Sequence, residues 1–316
     1  MAPCHSVVFR WLVRLGSFLA CWRQANVTPI LKSPPSSSVA NYWPISITSV
    51  LSKVFERLVS VRLGRFMECS GVLPTTQFAY RKGLGTCDAP LWVSHTLQSA
   101  LESGQEARIV QINFSAAFDR VNHLGILYKL CSVGIGGSVL SILTQFLSDR
   151  SQQVMVDGCR NKLVNVVSGV LQGSVLGPLL FLLYTSELFS ILENKLIGYA
   201  DDSTLMAVVP SPGIRFAVAE SLICDLGRVS EWCDLWGMKL NASKTKTMNS
   251  LEVLHNAFPV TPINYWRNCT EGVWWPCYFG SDIWLTDDLW EASSLGFQSS
   301  FSEIWYLGEV LLSVPW

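Results

Sequence analysis

Residues 198–205, GYADDSTL, place two adjacent carboxylates, Asp201 and Asp202, between short runs that carry little other charge. The longer stretch LIGYADDSTLMAVV (residues 196–209) is rich in β-formers on both sides of the acids, which predicts a hairpin with the acids at or beside its turn. Aspartate is common in turns for ordinary hydrogen-bonding reasons, so the pair alone favours a solvated turn. The alternative is a metal site, because Mg²⁺ prefers oxygen ligands and also binds substrate phosphates.

The rest of the chain alternates helical and β-rich segments, which predicts an α+β fold with a mixed or antiparallel sheet. A β-rich run, ARIVQINF, covers residues 107–114, and the Pro- and Ser-rich segment 30–43 reads as a loop. Apolar residues at helical spacing predict helices over 47–66, 88–104, 116–130, 178–192 and 216–238.

Composition excludes a disordered or strongly charged protein. The 316-residue chain is 49% hydrophobic and 15% charged, with a formal net charge of −1. A chain of this charge has no general attraction for a polyanion, so a nucleic-acid binder would need its basic residues concentrated in a groove.

Ten cysteines without a CxxC pair indicate scattered reduced thiols in an intracellular chain, in the nucleus or the cytoplasm. Two apolar stretches resemble membrane segments but are interrupted by polar or helix-breaking residues. Arg10 and Arg14 interrupt residues 7–22, and Gly177, Pro178 and Glu187 interrupt residues 175–192. The second stretch is better interpreted as a buried helix that begins near Pro178, and no membrane association is predicted.

Six blocks, taken in order, resemble the reverse transcriptase domain of non-LTR (LINE-like, Jockey-type) retrotransposons. They are NYWPISITSVLSKVFERL (41–58), QFAYRKGLGT (77–86), NFSAAFDRVNH (113–123), GVLQGSVLGPLLF (169–181), YADDSTL (199–205) and WGMKLNASKTKT (236–247). The resemblance implies a right-hand polymerase with fingers and palm that copies an RNA template from a DNA primer, using dNTPs and two Mg²⁺ ions. No protein partner is indicated.

The resemblance also implies roles for individual residues. Asp201 would be the essential metal ligand with Asp202 beside it. Phe118 would be a steric gate against the ribonucleotide 2′-hydroxyl, with an ordinary core aromatic as the alternative. Gln172 and Gly173, with Ser174, would form the turn that supports template and incoming nucleotide. The remaining candidates are basic: Arg81, Lys82 and Lys32 as phosphate contacts, and Lys244 near the incoming nucleotide as a proton donor to pyrophosphate. As single residues, these four are more typical of a solvated surface.

Three positions depart from the family pattern. Asn113 stands where the family has the aspartate that bridges both metals, and a neutral amide is a poor Mg²⁺ ligand. Asp119, six residues farther on, should lie past the end of the strand and is no obvious substitute. Trp43 replaces a usual arginine, and Leu171 replaces a proline that fixes a turn angle. The chain therefore resembles a degenerate copy, a weak or inactive enzyme.

The predicted organisation is an N-terminal extension (1–25), fingers (26–106), palm (107–250) and an unrelated tail (251–316). The tail holds seven of the 13 tryptophans and no sustained period. One back-translation of YWRNCTEGV (265–273) encodes the family-like IGGTVLKES one base later. A frameshift after about Asn249 would therefore explain an absent or replaced thumb. The sequence also begins just before the fingers, so we expect no upstream endonuclease.

Two other interpretations remain open at this point. The chain could be a catalytically dead remnant that still binds a primer–template, which salt-dependent binding without nucleotide incorporation would indicate. It could also be a non-functional product of a decayed retrotransposon that folds poorly, which aggregation relieved by truncation near residue 250 would indicate.

Overall fold

The structure is a computed structural model, and it describes residues 2–32 and 34–249. Its helices are α1 (Ala2–Leu15), α2 (Val50–Cys69), α3 (Asp88–Glu102), α4 (Ala117–Arg120), α5 (His123–Ser132), α6 (Gly137–Leu147), α7 (Gly177–Thr185), α8 (Leu188–Ile191) and α9 (Arg215–Trp236). Its strands are β1 (Gln24–Leu31), β2 (Tyr42–Ile47), β3 (Glu106–Ile112), β4 (Arg150–Val156), β5 (Cys159–Arg160), β6 (Val164–Val166), β7 (Lys195–Tyr199), β8 (Asp202–Val209) and β9 (Lys246–Asn249).

Four antiparallel strands, in the order β7-β8-β3-β9, form the sheet that carries the two aspartates. β3 pairs with β8 from Glu106↔Val209 to Ile112↔Ser203, and β9 pairs with the other edge of β3. β7 and β8 form a hairpin whose last pair is Tyr199↔Asp202. The hairpin predicted from GYADDSTL is therefore confirmed, with the acids at its turn.

Helices cover both faces of this sheet. Side chains along a strand alternate between its faces, and here apolar side chains point to both of them. Ile109, Ile197 and Met206 pack with the buried face of α3, whereas Val110 and Leu205 join the larger core of α5, α6, α7 and α9. A sheet buried on both faces explains why β3 and β8 are rich in apolar residues instead of alternating strictly. The mixed helix-and-sheet class predicted from the sequence is confirmed.

Helix α7, with the sequence GPLLFLLYT, lies at the centre of the larger core. All of its residues except Pro178 are buried, so this helix is apolar around its whole circumference. Pro178 occupies its first turn, where its missing N–H costs no hydrogen bond. The interpretation of residues 175–192 as a buried helix holds for α7, but the helix predicted over 178–192 is interrupted at Ser186 and Glu187 before α8. No helix within the described part of the chain is long and apolar enough to cross a bilayer.

A second sheet, in the order β2-β1-β4-β5 with β6 beside β4, joins β1 and β2, which lie mostly in the predicted fingers, to three strands of the predicted palm. It is called the fingers sheet below. β1 pairs antiparallel with β2 and parallel with β4. The prediction of a loop over residues 30–43 is wrong at both ends, because Ile30 pairs with Trp43 and Leu31 pairs with Tyr42. Apolar and aromatic residues at the two ends of the segment extend the strands into it.

The helix predicted over residues 116–130 is divided into α4 and α5. Ala116 adopts a left-handed conformation (φ 50°) immediately before α4. The Asn122 side chain accepts a hydrogen bond from the Gly125 N–H at 3.1 Å and so caps the N-terminus of α5. This division places Asp119 in α4, beyond β3, as expected from its distance from the strand.

Seven of the cysteines are free thiols: Cys21, Cys69, Cys87, Cys131, Cys159, Cys224 and Cys233. The Trp-rich tail and the predicted replacement of the thumb lie outside the described residues.

Candidate active site at the palm hairpin

The turn between β7 and β8 consists of two residues, Ala200 and Asp201, and Asp202 begins β8. Ala200 has φ 57°, which is uncommon for any residue other than glycine. Asp201 is half-buried and Asp202 is exposed. The turn therefore presents two carboxylates in sequence at the end of the sheet.

Asn113 lies immediately beyond the last residue of β3, next to this turn. Because Ile112 pairs with Ser203 in an antiparallel register, the next position, Asn113, lies opposite Asp202. The Asn113 carbonyl accepts a hydrogen bond from the Asn241 N–H at 2.8 Å. The Asn113 N–H donates to Thr245 Oγ1 at 3.4 Å. Asn113 is thus brought to the carboxylates by its strand and by the turn after α9.

Lys244 belongs to the turn that contacts Asn113. Its N–H donates to the Asn241 carbonyl at 3.1 Å, and its side chain is exposed. The structure therefore brings the loop of Lys244 to the backbone of Asn113. Its proposed role toward the incoming nucleotide stays a prediction.

The electrostatics of the hairpin disfavour negative charge. Desolvation by surrounding protein atoms, with repulsion from Asp201 second, raises the pKa of Asp202 to about 6 although this residue is exposed. Desolvation likewise raises the pKa of Asp201. Tyr80 lies close enough that the charge on Asp201 adds to desolvation in raising the pKa of this phenol to about 12. A cation at the turn would offset the cost of holding these carboxylates ionised.

The side chains at the turn provide only part of the ligand set that a divalent cation prefers. Asp201 and Asp202 are hard carboxylate ligands, whereas the side chain of Asn113 offers one neutral oxygen. Among residues 2–32 and 34–249, no group of three or more His, Cys, Asp or Glu side chains is arranged to hold a metal ion. The residues present therefore fit one cation bound by two carboxylates better than a pair bridged by a third.

A second turn, Gln172–Ser174, lies between the fingers sheet and α7. The Ser46 N–H of β2 donates to the Gln172 carbonyl at 2.8 Å. Gly173 has φ 104°, and a Cβ at this position would lie 2.6 Å from the Ser46 carbonyl oxygen. Glycine is therefore required by both conformation and space, which explains the glycine of this block.

Glu56 of α2 holds the segment that follows this turn. One carboxylate oxygen accepts hydrogen bonds from the N–H groups of Val175 (2.8 Å) and Leu176 (3.3 Å) at the start of α7. The other oxygen accepts from the Ser52 hydroxyl at 2.9 Å. Glu56 is fully buried, and burial raises its pKa against the opposing effect of these donors.

Gln172 and Phe118 link this turn to α4. Gln172 Nε2 donates to Asp119 Oδ1 at 3.1 Å. The Phe118 ring is partly buried and stacks on Phe181 of α7, with the ring centroids 4.3 Å apart and an interplanar angle of 17°. The contact with Phe181 fixes the ring of Phe118, and its role as a steric gate stays a prediction.

The basic candidates on the fingers differ in their surroundings. Arg81 donates to both oxygens of Glu68 (2.7 and 2.6 Å) and to the carbonyls of Pro74 (2.6 Å) and Gln77 (2.9 Å). A phosphate would therefore have to replace Glu68 at this guanidinium. Lys82 is exposed. Lys32 is also exposed, and its Nζ lies 5.7 Å from the centroid of the Trp43 ring.

Two buried polar residues were missed by sequence reasoning, Gln77 and Glu56. Gln77 is the first residue of the block QFAYRKGLGT, but no periodic pattern in the sequence indicates its burial or its contacts. Glu56 was hidden among the polar positions of an amphipathic helix. The available signal was the Ser52–Glu56 pair, since an i, i+4 polar pair on the core-facing side of α2 needs buried partners.

A helix-covered antiparallel sheet with paired aspartates at a hairpin turn is the arrangement that the six sequence blocks imply for the palm of a polymerase. The architecture resembles that of apo telomerase from Candida tropicalis truncated from its C-terminal domain. The TM-score is 0.53 at 11% sequence identity, over 78% of this chain and 55% of the other. At this identity the likeness establishes the fold alone.

The chain belongs to the reverse transcriptase (RNA-dependent DNA polymerase) family, whose model matches residues 30–298. It is 31% identical over 249 residues to the probable RNA-directed DNA polymerase from transposon X-element of Drosophila melanogaster, covering 77% of this chain and 27% of that protein. It is 31% identical to the corresponding protein from transposon BS of the same species, covering 81% and 29%.

A third relative is the RNA-directed DNA polymerase from mobile element jockey of Drosophila funebris. The identity is 28%, over 81% of this chain and 28% of the relative. The non-LTR retrotransposon resemblance drawn from the six blocks is thus confirmed. The chain spans less than a third of the length of these relatives.

Proposed function

We propose that this chain is an RNA-directed DNA polymerase domain by descent, in which Asn113 impairs nucleotidyl transfer. The observation that carries the proposal is the position of Asn113, one residue past the Ile112↔Ser203 pair and opposite Asp202. A carboxylate here would complete a three-acid site, whereas the amide removes one negative charge from it.

The cofactor in this proposal is Mg²⁺, held by Asp201 and Asp202 with weak help from the Asn113 amide oxygen. The family generally uses divalent metals, and such an ion would neutralise charge on the reacting phosphate when bound. The raised pKa values of Asp201 and Asp202 support this assignment, because a cation offsets the desolvation that raises them.

The substrates in this proposal are an RNA template, a DNA primer and dNTPs. The turn Gln172–Gly173 would support the template and the incoming nucleotide, since it is fixed by Ser46 on one side and Glu56 on the other. Phe118 would limit space at the sugar. The basic side chains Arg81, Lys82, Lys32 and Lys244 would contact phosphates.

The decisive experiment is primer extension on an RNA template with Mg²⁺, comparing the full chain with Asn113→Asp. Restoring the carboxylate should raise the rate by roughly a thousandfold or more, because a bridging metal ligand contributes several kcal/mol to the transition state. Asn165→Asp, an exposed position in β6, controls for the added charge alone. Equal extension by the unmodified chain would show that Asn113 does not limit the reaction.

The competing proposal is a primer–template-binding protein without catalysis. It is favoured by the contrast between the intact supports of both turns and the missing charge at Asn113. Salt-dependent binding of a primer–template by both chains, with no nucleotide incorporation by Asn113→Asp, would support it.

A further inference from the structure

Gln77 has a buried side-chain amide that forms hydrogen bonds with the hairpin turn. Its side chain is 1% exposed. Gln77 Oε1 accepts a hydrogen bond from the Ala200 N–H at 3.1 Å, and Gln77 Nε2 donates to the Ala200 carbonyl at 3.3 Å. One side chain thus pairs with both backbone groups of the residue directly before Asp201.

The backbone around Gln77 extends this contact along the hairpin. The Gly198 N–H donates to the Thr76 carbonyl, and the Phe78 N–H donates to the Gly198 carbonyl, both at 2.9 Å. Gly198 leaves the space that the contact needs, since a Cβ there would lie 2.7 Å from Gln77 Nε2. The glycine of GYADD therefore serves the approach of the fingers segment 76–79 to β7.

The conformation at Ala200 explains why the turn needs such a partner. A non-glycine residue at φ 57° is strained by about 1–3 kcal/mol and persists only where its surroundings fix it. The paired hydrogen bonds from Gln77 define the orientation of the Ala200 peptide groups. Because the following residue is Asp201, the same bonds define where the Asp201 side chain leaves the backbone.

We propose that Gln77 is a positioning residue, which fixes the Ala200–Asp201 turn so that the Asp201 carboxylate is pre-set to receive a divalent cation. This inference rests on the proposed function, because it assigns Asp201 to the metal. It adds to that function a fingers residue, distant in sequence, that acts on the cation only through the turn.

The test uses the full chain and Mn²⁺ as the probe, with binding followed by electron paramagnetic resonance. Gln77→Leu should weaken Mn²⁺ binding by about 10–100-fold, the usual effect of removing an outer partner of a metal ligand. Hydrogen exchange at the Ala200 amide should accelerate by about tenfold or more, because its acceptor is lost. Gln98→Leu on the exposed face of α3 is the matched control and should change neither quantity.

A kinetic readout separates positioning from general stability. In an Asn113→Asp background, Gln77→Leu should lower kcat by about a hundredfold, as a small misplacement of a reacting group does, with the KM for dNTP within about twofold. Restoring a side chain with donor and acceptor, as in Gln77→His, should recover part of the Mn²⁺ affinity.

Unchanged Mn²⁺ affinity or unchanged exchange at Ala200 in Gln77→Leu would overturn the proposal. So would the lack of any Mn²⁺ binding at the hairpin, because there would then be no cation to receive. Failure of Asn113→Asp to extend a primer is a separate result. It contradicts the proposed function, while Mn²⁺ affinity and exchange still decide the role of Gln77.

Discussion

Two turns flank the candidate active site, and each is held by one buried polar side chain from the fingers. Glu56 holds the segment after Gln172–Ser174 by accepting hydrogen bonds from Val175 and Leu176. Gln77 holds the Ala200–Asp201 turn by both accepting and donating. Both side chains bond to the backbone of a turn, but Glu56 only accepts hydrogen bonds, whereas Gln77 also donates one.

The difference teaches that each side chain is matched to the backbone groups it meets. All partners of Glu56 are donors, namely two N–H groups and the Ser52 hydroxyl, so an acceptor-only carboxylate satisfies them. Ala200 offers both an N–H and a carbonyl, so its partner must both accept and donate, which the Gln77 amide does and an ionised carboxylate does not. Variants of the two turns should therefore respond differently.

The largest expected effect concerns the glycines of the two turns. Gly173→Ala should destabilise the chain by about 4 kcal/mol, because it combines strain at φ 104° with a Cβ 2.6 Å from the Ser46 carbonyl oxygen. Gly198→Ala should cost less, about 2 kcal/mol, since its Cβ meets the ends of the Gln77 and Phe189 side chains. The measurement is the free energy of unfolding in urea.

Gly104→Ala is the control for these two variants. Gly104 has φ 66°, and among the described residues no heavy atom would lie within 4 Å of a Cβ at this position. Its substitution therefore isolates conformational strain, about 1 kcal/mol. If Gly173→Ala costs no more than Gly104→Ala, the contact with Ser46 contributes nothing, and the first turn is less firmly fixed than proposed.

Replacing Glu56 by Gln and Gln77 by Glu, in separate variants, should change the free energy of unfolding by different amounts. Glu56→Gln should change the free energy of unfolding by less than about 1 kcal/mol at neutral pH, because the Ser52 hydroxyl can turn to accept from the new amide. Gln77→Glu should cost about 3 kcal/mol, since a buried carboxylate oxygen would face the Ala200 carbonyl. Urea unfolding of both variants measures the difference, and equal costs would contradict the matching of side chain to backbone.

Local sequence signals predicted the hairpin, α2, α3, α7 and α9, because each depends on apolar spacing or turn chemistry within one segment. They also placed Asn113 at a strand end. The contacts that fix the site are different in kind. Gln77 and Ala200 are 123 residues apart, and Glu56 and Val175 are 119 apart, so no local period reports them.

The fingers sheet also depends on pairings that the local sequence does not report. β1 pairs in parallel with β4 through residues 24–27, although β4 follows it by more than a hundred residues. Ile30 and Leu31 are drawn out of a segment that reads as loop by their pairing with β2. A strand edge is assigned by its partner as much as by its own residues. Trp43 therefore lies in a strand, beside Lys32, instead of in the predicted loop.

The smallest expected effect is a pH dependence that only the Glu56 support should show. Burial holds the pKa of Glu56 above its usual value of 4.5, with the more distant charge of Arg150 opposing that shift. Between the unfolded and folded pKa values the folded chain binds more protons, so the contribution of Glu56 to stability falls as pH rises through that window. Gln77 does not titrate.

The free energy of unfolding of the unmodified chain, minus that of Glu56→Gln, should therefore decrease as pH rises from about 4 and level off above the folded pKa. The same difference taken against Gln77→Leu should stay flat over this range, because neither side chain at position 77 binds a proton. Urea titrations at each pH measure both differences. A difference for Glu56→Gln that grows with pH would mean that its donors, and not its burial, dominate the pKa of the carboxyl, and that the first turn is held by a stabilised charge.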